Sequence, residues 1–309
     1  MRRRLGGDSF LKITLAAAAV AILILMFALA GELINRSSLS LSTFGLSFLW
    51  GSKWDSTDNI FGALPFIFGT MYTSALALLF GLPVSIGVAV FLSEKIHNFP
   101  RIGNTIGTLV ELLAAVPSVI YGFWALFVLS PFVKNYVEIP LNRYLGFIPL
   151  FAGTPFGYDF LNAGLILAIM IIPTVSAITR DVLNAVPNSQ REAMYALGAT
   201  NWEVIQKSVL PYARSGIFGA IILGLGRAVG ETMAVTMVVG NQIKISPSLF
   251  SGGYTLASLL ANEVFEASGK LFISSIIEIC LVLFLLAFVI NTFARFLIWR
   301  MTRGVRFRS

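Results

Sequence analysis

The chain has 309 residues, of which 57% are hydrophobic and only 12% are charged. A soluble globular protein carries about 25% charged residues, so this composition excludes an ordinary soluble enzyme and indicates an integral membrane protein. The net charge of +7 does not indicate nucleic-acid binding, because the basic residues are spread over many loops instead of forming one stripe with aromatic residues.

Six apolar stretches are long enough to cross a bilayer as helices, which takes about 20 residues each. In chain order they are 13–33, 67–92, 106–129, 163–179, 217–240 and 271–299. The alternating pattern of a membrane β-barrel is absent, so an all-α integral membrane protein is predicted. No segment outside the spans is long enough for a separate domain, and residues 1–309 are predicted to form one transmembrane domain.

Basic residues that flank the spans predict the orientation, because cytoplasmic loops carry an excess of Lys and Arg. Most of the 22 basic residues fall in cytoplasmic segments if both termini are placed there, and Arg227 is left inside the membrane. We therefore expect a multi-pass protein of the inner (cytoplasmic) membrane with both termini in the cytoplasm. The first apolar stretch also resembles a cleavable secretory signal, but at about 20 residues it exceeds the usual core of 7–15.

Residues in and between the spans also bear on function. Pro117 removes a backbone hydrogen bond within the third predicted span, and Ser118, which follows it, is a candidate for a residue that lines a pathway. A single histidine, His97, and a single cysteine, Cys280, predict neither a metal site nor a disulfide.

The loop at 181–216 is polar and differs from the other connections. Its pattern predicts a short helix, a sharp turn at Gly198, and a second short helix that stops at Pro211. Small residues in the first helix would allow a partner to approach closely. An ordinary helical hairpin without a partner is the alternative.

Two charged residues in the fifth predicted span form the main candidate site. Arg227 and Glu231 are four residues apart, which on one helix places them on the same face within reach of each other. Charges at membrane depth are costly and indicate function by default, and a guanidinium matches the oxygens of phosphate. Thr232 and Thr236 would add hydroxyl donors. The alternative is a buried pair that only locks helices together.

Several motifs of catalytic sites are missing from the sequence. No G-x-x-x-x-G-K-[ST], H-E-x-x-H or G-x-S-x-G sequence occurs, so we expect no ATP site, no catalytic residue and no bound cofactor in this chain. If transport consumes ATP, another subunit must hydrolyse it.

The polar loop resembles the EAA motif of importer-type ABC permeases. That motif is matched by Glu192-Ala193-Met194, Gly198 and Ser208-Val209-Leu210-Pro211, with Met194 and Ser208 departing from its usual residues. The resemblance implies that this loop seats in a cleft of an ATPase subunit. It assigns the coupling role to Glu192, Ala193, Gly198, Leu210 and Pro211.

The longer segments ELLAAVPSVIYGFWALF and LGLGRAVGETMAVTMVVGN are similar to the PstC-type permease subunits of phosphate importers. This resemblance implies the type I ABC importer permease fold, with both termini cytoplasmic. It also implies a second permease subunit of PstA type, a dimer of PstB-type ATPase subunits that hold ATP and Mg, and an extracytoplasmic phosphate-binding protein of PstS type.

Three alternatives remain open at this stage. The first keeps the class of protein and changes the cargo to another oxyanion, molybdate or sulphate, which an arginine fork also fits. A carrier driven by an ion gradient would use Glu231 or Glu278 as a proton relay. A membrane scaffold without transport activity would tolerate apolar residues at 227 and 231.

Overall fold

The structure, a computed structural model, describes residues 5–95 and 100–303. Within these residues, six helical segments are long and apolar enough to cross a membrane, which confirms the predicted fold class. We number them span 1 to span 6: Leu11–Arg36, Leu64–Glu94, Ser118–Leu145, Phe160–Asn184, Asn201–Gly230 and Lys270–Arg300. His97 lies outside the described residues.

The described part of the chain contains fifteen α-helices and four π-helical turns, some within the spans and some between them. The helices are α1 (Leu5–Arg36), α2 (Ser38–Phe44), α3 (Ser47–Trp50), α4 (Leu64–Val90), α5 (Pro100–Ala114), α6 (Ser118–Trp124), α7 (Ser130–Val133), α8 (Ile139–Leu145), α9 (Phe160–Asn184), α10 (Asn188–Ala196), α11 (Asn201–Val204), α12 (Leu210–Gly230), α13 (Met233–Val238), α14 (Leu256–Glu263) and α15 (Lys270–Arg303). The π-turns are Phe91–Lys95, Ala125–Leu129, Lys134–Glu138 and Ile205–Val209. Two short strands, β1 (Trp54–Asp55) and β2 (Ile60–Phe61), pair antiparallel.

The third predicted span, 106–129, was wrong in its position. Its first half belongs to α5, an amphipathic helix that ends at Ala114. The next helix begins only at Ser118. Pro117 has an extended backbone and precedes the new helix, as proline does at helix starts. Span 3 then continues to Leu145, through polar residues such as Lys134 and Glu138 that made this part resemble a loop.

Span 3 and span 5 both continue past prolines, although a proline usually ends or kinks a helix. Pro211 does not end the second helix of the polar loop, because Asn201–Gly230 is one continuous helical segment. A proline in a helix clashes with the carbonyl group four residues earlier. In each of three cases that carbonyl lies inside a π-turn, where the helix is wider. The pairs are Phe127 with Pro131, Tyr136 with Pro140, and Lys207 with Pro211.

Span 4 forms the centre of the bundle, and span 1 lies at its edge. In the most apolar window of each, 67% of the span 4 residues are buried against none in span 1. Glycines let α4 and α9 pack closely: a Cβ at Gly81 would lie 2.9 Å from Ile171, and one at Gly164 would lie 2.5 Å from Leu76. This close packing gives α9 a fixed position against span 2.

The two ends of the bundle differ in structure. One end, here called the hairpin end, carries α10 and α11 in the loop at 181–216. The opposite loop end carries the segments at 37–63, 146–159 and 240–269, with the strand pair among them. At the loop end Trp54 packs against Phe61 and Phe66, and its indole N–H donates to Glu263 at 2.6 Å.

Candidate functional site

Arg227 lies in the interior of the bundle near its mid-depth. Its Nη1 donates to Thr174 Oγ1 of span 4 at 3.0 Å. Thr174 is ten residues from the hairpin end of α9 and fourteen from the other end, or about 15 and 21 Å at 1.5 Å per residue. Thr174 was not among the predicted site residues, since a threonine beside Pro173 carries no signal of its own.

No acidic side chain in the described part of the chain lies within 4.0 Å of the Arg227 nitrogens. The guanidinium has five N–H donors, and its bond to Thr174 uses one of them. A permanently charged fork is therefore held in an apolar helical bundle with donors left for an anion.

The predicted pairing of Arg227 with Glu231 on one helix face is wrong for this structure. Helix α12 ends at Gly230, and Glu231 has an extended backbone. The Glu231 carboxylate instead accepts from the N–H of Ala234 at 3.3 Å, at the start of α13. Glycine is a weak helix former, and a carboxylate just after it favours the start of the next helix over continuation of the last.

Thr232 and Thr236 are not free hydroxyl donors in this conformation. Thr232 Oγ1 donates to the carbonyl of Gly230 at 3.3 Å, and Thr236 Oγ1 donates to the carbonyl of Thr232 at 2.7 Å. Ser118 begins α6, which packs against α13 so closely that a Cβ at Gly122 would lie 2.6 Å from the sulfur of Met237. The fold thus brings the helix of Ser118 beside the helix of Thr236, while the functional role of both residues stays a prediction.

A cavity of about 390 Å³ lies at the loop end of α13. Its lining includes Tyr158, Met237, Asn241 and Gln242. The side-chain amide of Asn241 donates to the carbonyl of Thr236 at 2.9 Å, which ties the lining of the cavity to α13. Helix α13 follows Arg227 after the short break at 231–232, so the cavity and the guanidinium lie along the same stretch of chain.

The loop at 181–216 forms the predicted hairpin of two helices. Gly198 has φ +79°, a left-handed conformation that favours glycine, and so confirms the predicted turn. Thr200 caps α11 reciprocally with Glu203. Helix α10 exposes Glu192 and Ala193 to solvent, while their functional role stays a prediction.

Large apolar side chains on this hairpin also face solvent. Leu197 is 84% exposed, Trp202 is 61% exposed and Tyr195 is 48% exposed. Grouped apolar residues on a surface mark a site for a protein partner, since each one favours burial. Leu210 and Pro211, in contrast, lie within span 5, at the start of α12.

Two buried acidic residues at the loop end escaped the sequence analysis. The side chains of Glu138 and Asp159 are fully buried, as is that of Asn162 between them. The Asn162 amide donates to Glu138 Oε1 at 2.6 Å and to Asp159 Oδ1 at 3.1 Å. Burial, together with the nearby charge of Glu138, raises the pKa of Asp159 to about 8. The cluster joins span 3 to the start of span 4.

Glu278, a candidate proton carrier, is also buried, with 3% of its surface exposed. It lies within hydrogen-bond reach of Ser40 on α2, and its Oε2 has no hydrogen-bond partner among the described residues. Ser40 also contacts Ser274 and Ser275 of α15. These contacts attach α2 to span 6.

Comparison with known proteins gives consistent matches. Residues 81–303 match the family described as "Binding-protein-dependent transport system inner membrane component". The chain is 45% identical to the "Phosphate transport system permease protein PstC" of Mesorhizobium japonicum, over 95% of this chain and 90% of that one. It is 41% identical to the protein of the same description from Haemophilus influenzae, over 96% and 95% of the two chains.

A solved structure shares the fold. A chain of the MetNI methionine ABC transporter in an inward-facing conformation superposes with a TM-score of 0.51 at 18% identity, covering 75% of this chain and 91% of that chain. At this identity the likeness concerns the fold alone.

Proposed function

The chain belongs to the family of binding-protein-dependent transport system inner membrane components, and we propose that it is the permease subunit of an ATP-driven importer of inorganic phosphate. The relatives described as phosphate permeases, which match it almost end to end, support phosphate as the cargo. Molybdate and sulphate are the competing cargoes, since both are oxyanions that an arginine fork also fits.

One observation carries the proposal: Arg227 is a half-buried cation without an acidic partner within 4.0 Å in the described chain, held by a neutral hydroxyl. A carboxylate partner would have to be displaced by an arriving anion, whereas Thr174 withdraws at much lower cost. The anion enters from the cavity at Asn241 and Gln242, and binds briefly at the guanidinium. Residues Thr232, Thr236 and Ser118 line the route once α13 moves.

The two ends of the bundle indicate where the partner subunits bind. The hairpin end faces the cytoplasm, together with both termini, and its exposed apolar residues dock on a PstB-type ATPase dimer that binds ATP and Mg. Glu192, Ala193 and Gly198 belong to the docking helix and its turn, and Leu210 and Pro211 pass the motion into span 5. A PstS-type binding protein delivers phosphate at the loop end, and a PstA-type subunit completes the pathway.

Uptake of radiolabelled phosphate into vesicles that carry the assembled complex tests the site. Replacing Arg227 with Gln removes a charge-assisted bond of roughly 2–3 kcal/mol, so we expect uptake to fall about 30- to 160-fold while ATP hydrolysis persists. Arg227→Lys keeps the charge without the fork and should retain part of the uptake. Unchanged uptake in Arg227→Gln would reject the site, and full competition by sulphate or molybdate would reject phosphate as the specific cargo.

A second experiment separates the importer from an ion-gradient carrier or a scaffold. We expect no uptake by the purified chain alone, and loss of the co-purified ATPase in Glu192→Ala or in Gly198→Val, whose side chain strains the turn. Uptake by the lone chain under an ion gradient, abolished by Glu231→Gln or Glu278→Gln, would support the carrier instead. Retained uptake with apolar residues at both 227 and 231 would support the scaffold.

A further inference from the structure

Arg191 lies next to the docking residue Glu192 but faces the interior of the hairpin end. Its side chain is 16% exposed, and that of its partner Glu94 is 11% exposed. Arg191 Nη2 donates to Glu94 Oε1 at 2.7 Å, and Nε donates to Glu94 Oε2 at 3.3 Å. The contact is therefore a bidentate pair in which both carboxylate oxygens are engaged.

The same guanidinium also closes the end of span 4. Its Nη2 donates to the carbonyl of Leu183 at 3.0 Å, and its Nη1 donates to the carbonyl of Val186 at 2.7 Å. The last carbonyls of a helix lack intrahelical partners, and a cation is favourable at that end. Arg191 therefore fastens α10 to span 4 as well as to span 2.

Apolar packing beneath the pair keeps much of the water away. The buried residues of this layer come from spans 2, 4 and 5 and from the loop: Ala89, Leu183, Val186, Val204, Val209, Ala213 and Ile217. Electrostatic contacts are stronger beside such a layer than in open solvent. An exposed helix surface contact would not hold the two elements together as firmly.

Span 2 has no direct chain connection to the hairpin, which joins span 4 to span 5. Among the described residues, hydrogen bonds from Arg191 to Glu94 connect α10 to span 2. Glu94 lies in the π-turn Phe91–Lys95, a form of helix that often marks functional positions.

We infer that Arg191 is a positioning residue that transmits displacement of the docking helix to spans 2 and 4, through Glu94 and the carbonyl groups at the end of α9. The inference rests on the proposed function. Without the pair of Arg191 and Glu94, the hairpin stays joined to spans 4 and 5 by the chain itself, and span 2 no longer follows its motion. ATP is then hydrolysed without delivery of phosphate.

The test compares phosphate taken up with ATP hydrolysed by the same vesicles. Arg191→Gln and Glu94→Gln are each expected to lower the ratio at least tenfold while the ATPase subunits stay bound, and the double variant is expected to be no worse than either. Glu32→Gln is the matched control, because it removes the carboxylate of an exposed pair with Arg36. A ratio in Glu94→Gln equal to that of Glu32→Gln would overturn the inference.

Two further arms keep the test decisive. If Arg191→Gln fails to assemble, Arg191→Lys retains the charge but not the fork, and should assemble with a lowered ratio. For a readout independent of cargo, spin labels at positions 79 and 223, both exposed, are placed in a Cys280→Ala background. ATP should change their separation little in the wild type, where span 2 follows the docking helix, and more in Glu94→Gln, where span 5 moves without span 2. An equal change in both would overturn the inference, while failed phosphate uptake by the wild type would count against the proposed function alone.

Discussion

The two ends of the bundle join their helices with charged side chains of opposite design. At the hairpin end, Arg191 and Glu94 carry opposite charges and keep a small exposure to water. At the loop end, Glu138 and Asp159 are both acidic and are fully buried around Asn162. Opposite charges offset each other, whereas two adjacent buried carboxyl groups cannot both ionise cheaply. The difference predicts that stability at the hairpin end depends on the ion pair of Arg191 and Glu94. Stability at the loop end is predicted to depend on a proton held by the two carboxyl groups.

The largest expected effect comes from removing the amide between the two carboxyl groups. Asn162→Ala leaves both without their shared donor, and we expect a loss of about 3–5 kcal/mol in unfolding free energy, because two buried hydrogen bonds to carboxyl groups are lost at roughly 1.5–3 kcal/mol each. Equilibrium unfolding in mixed micelles measures it. Asn142→Ala is the matched control, because that amide donates to two backbone carbonyls instead. Equal losses would show that the buried carboxyl groups are not special.

The next effect is the pH dependence of stability at the loop end. The pKa of Asp159 is about 8 in the folded protein and near 3.9 when unfolded, so between these values only the folded state holds this proton. Raising the pH therefore favours unfolding, by roughly 1.4 kcal/mol per pH unit, until the pH passes about 8.

Asp159→Asn should remove this slope, because an amide donates to Glu138 without a titratable proton. The charged group that faces Asp159 is Glu138, and the charged group that faces Glu138 from its own helical segment is Lys134. The unfolding free energies of the variant and the wild type, measured at pH 5.5 and 7.5, test this prediction. The same slope in the variant and the wild type would assign the pH dependence to other groups.

A smaller loss of stability is expected at the hairpin end. Glu94→Gln keeps the shape of the side chain but leaves the Arg191 charge without its counter-charge, at a cost of about 2 kcal/mol for this slightly exposed pair. The guanidinium retains its bonds to Leu183 and Val186, which limits the effect. A loss as large as that in Asn162→Ala would contradict the contrast between the two ends.

The smallest effect is expected for the exposed pair of Glu32 and Arg36 on α1. Both side chains are more than half exposed, and exposed pairs contribute about 0–1 kcal/mol. Glu32→Gln should change the unfolding free energy by less than about 0.5 kcal/mol. A larger change would mean that exposure alone does not rank these contacts.

Span positions were predictable where hydrophobicity alone decides them. Span 2 and span 6 differ from their predicted limits by only a few residues, because each is a single apolar run. Span 3 was misplaced because one face of the amphipathic α5 adds to the apolar run before Pro117, while Lys134 and Glu138 dilute its true second half. Window composition does not record which face of a helix is apolar.

The candidate site was predictable in its residue types and not in its contacts. The EAA-like motif correctly located the turn at Gly198, since a positive φ is encoded locally. The bond from Arg227 to Thr174 joins residues 53 positions apart, and the pair of Glu138 and Asp159 forms only when spans 3 and 4 pack. Contacts of this kind depend on the fold as a whole, so spacing along one helix gave the wrong partner for Arg227.

The wide turn at Ile205–Val209 also has an angular consequence. Each residue of an α-helix advances the chain by about 100° around the axis, and a π-turn accommodates one residue more than an α-turn. With ordinary turns throughout, the side chain of Arg227 would point about 100° away from its present direction relative to the hairpin. A single extra residue thus sets the direction of the guanidinium around the helix axis relative to the hairpin. Deletion of one residue within 205–209 would preserve that direction. A deletion later in α12 would turn Arg227 away from span 4.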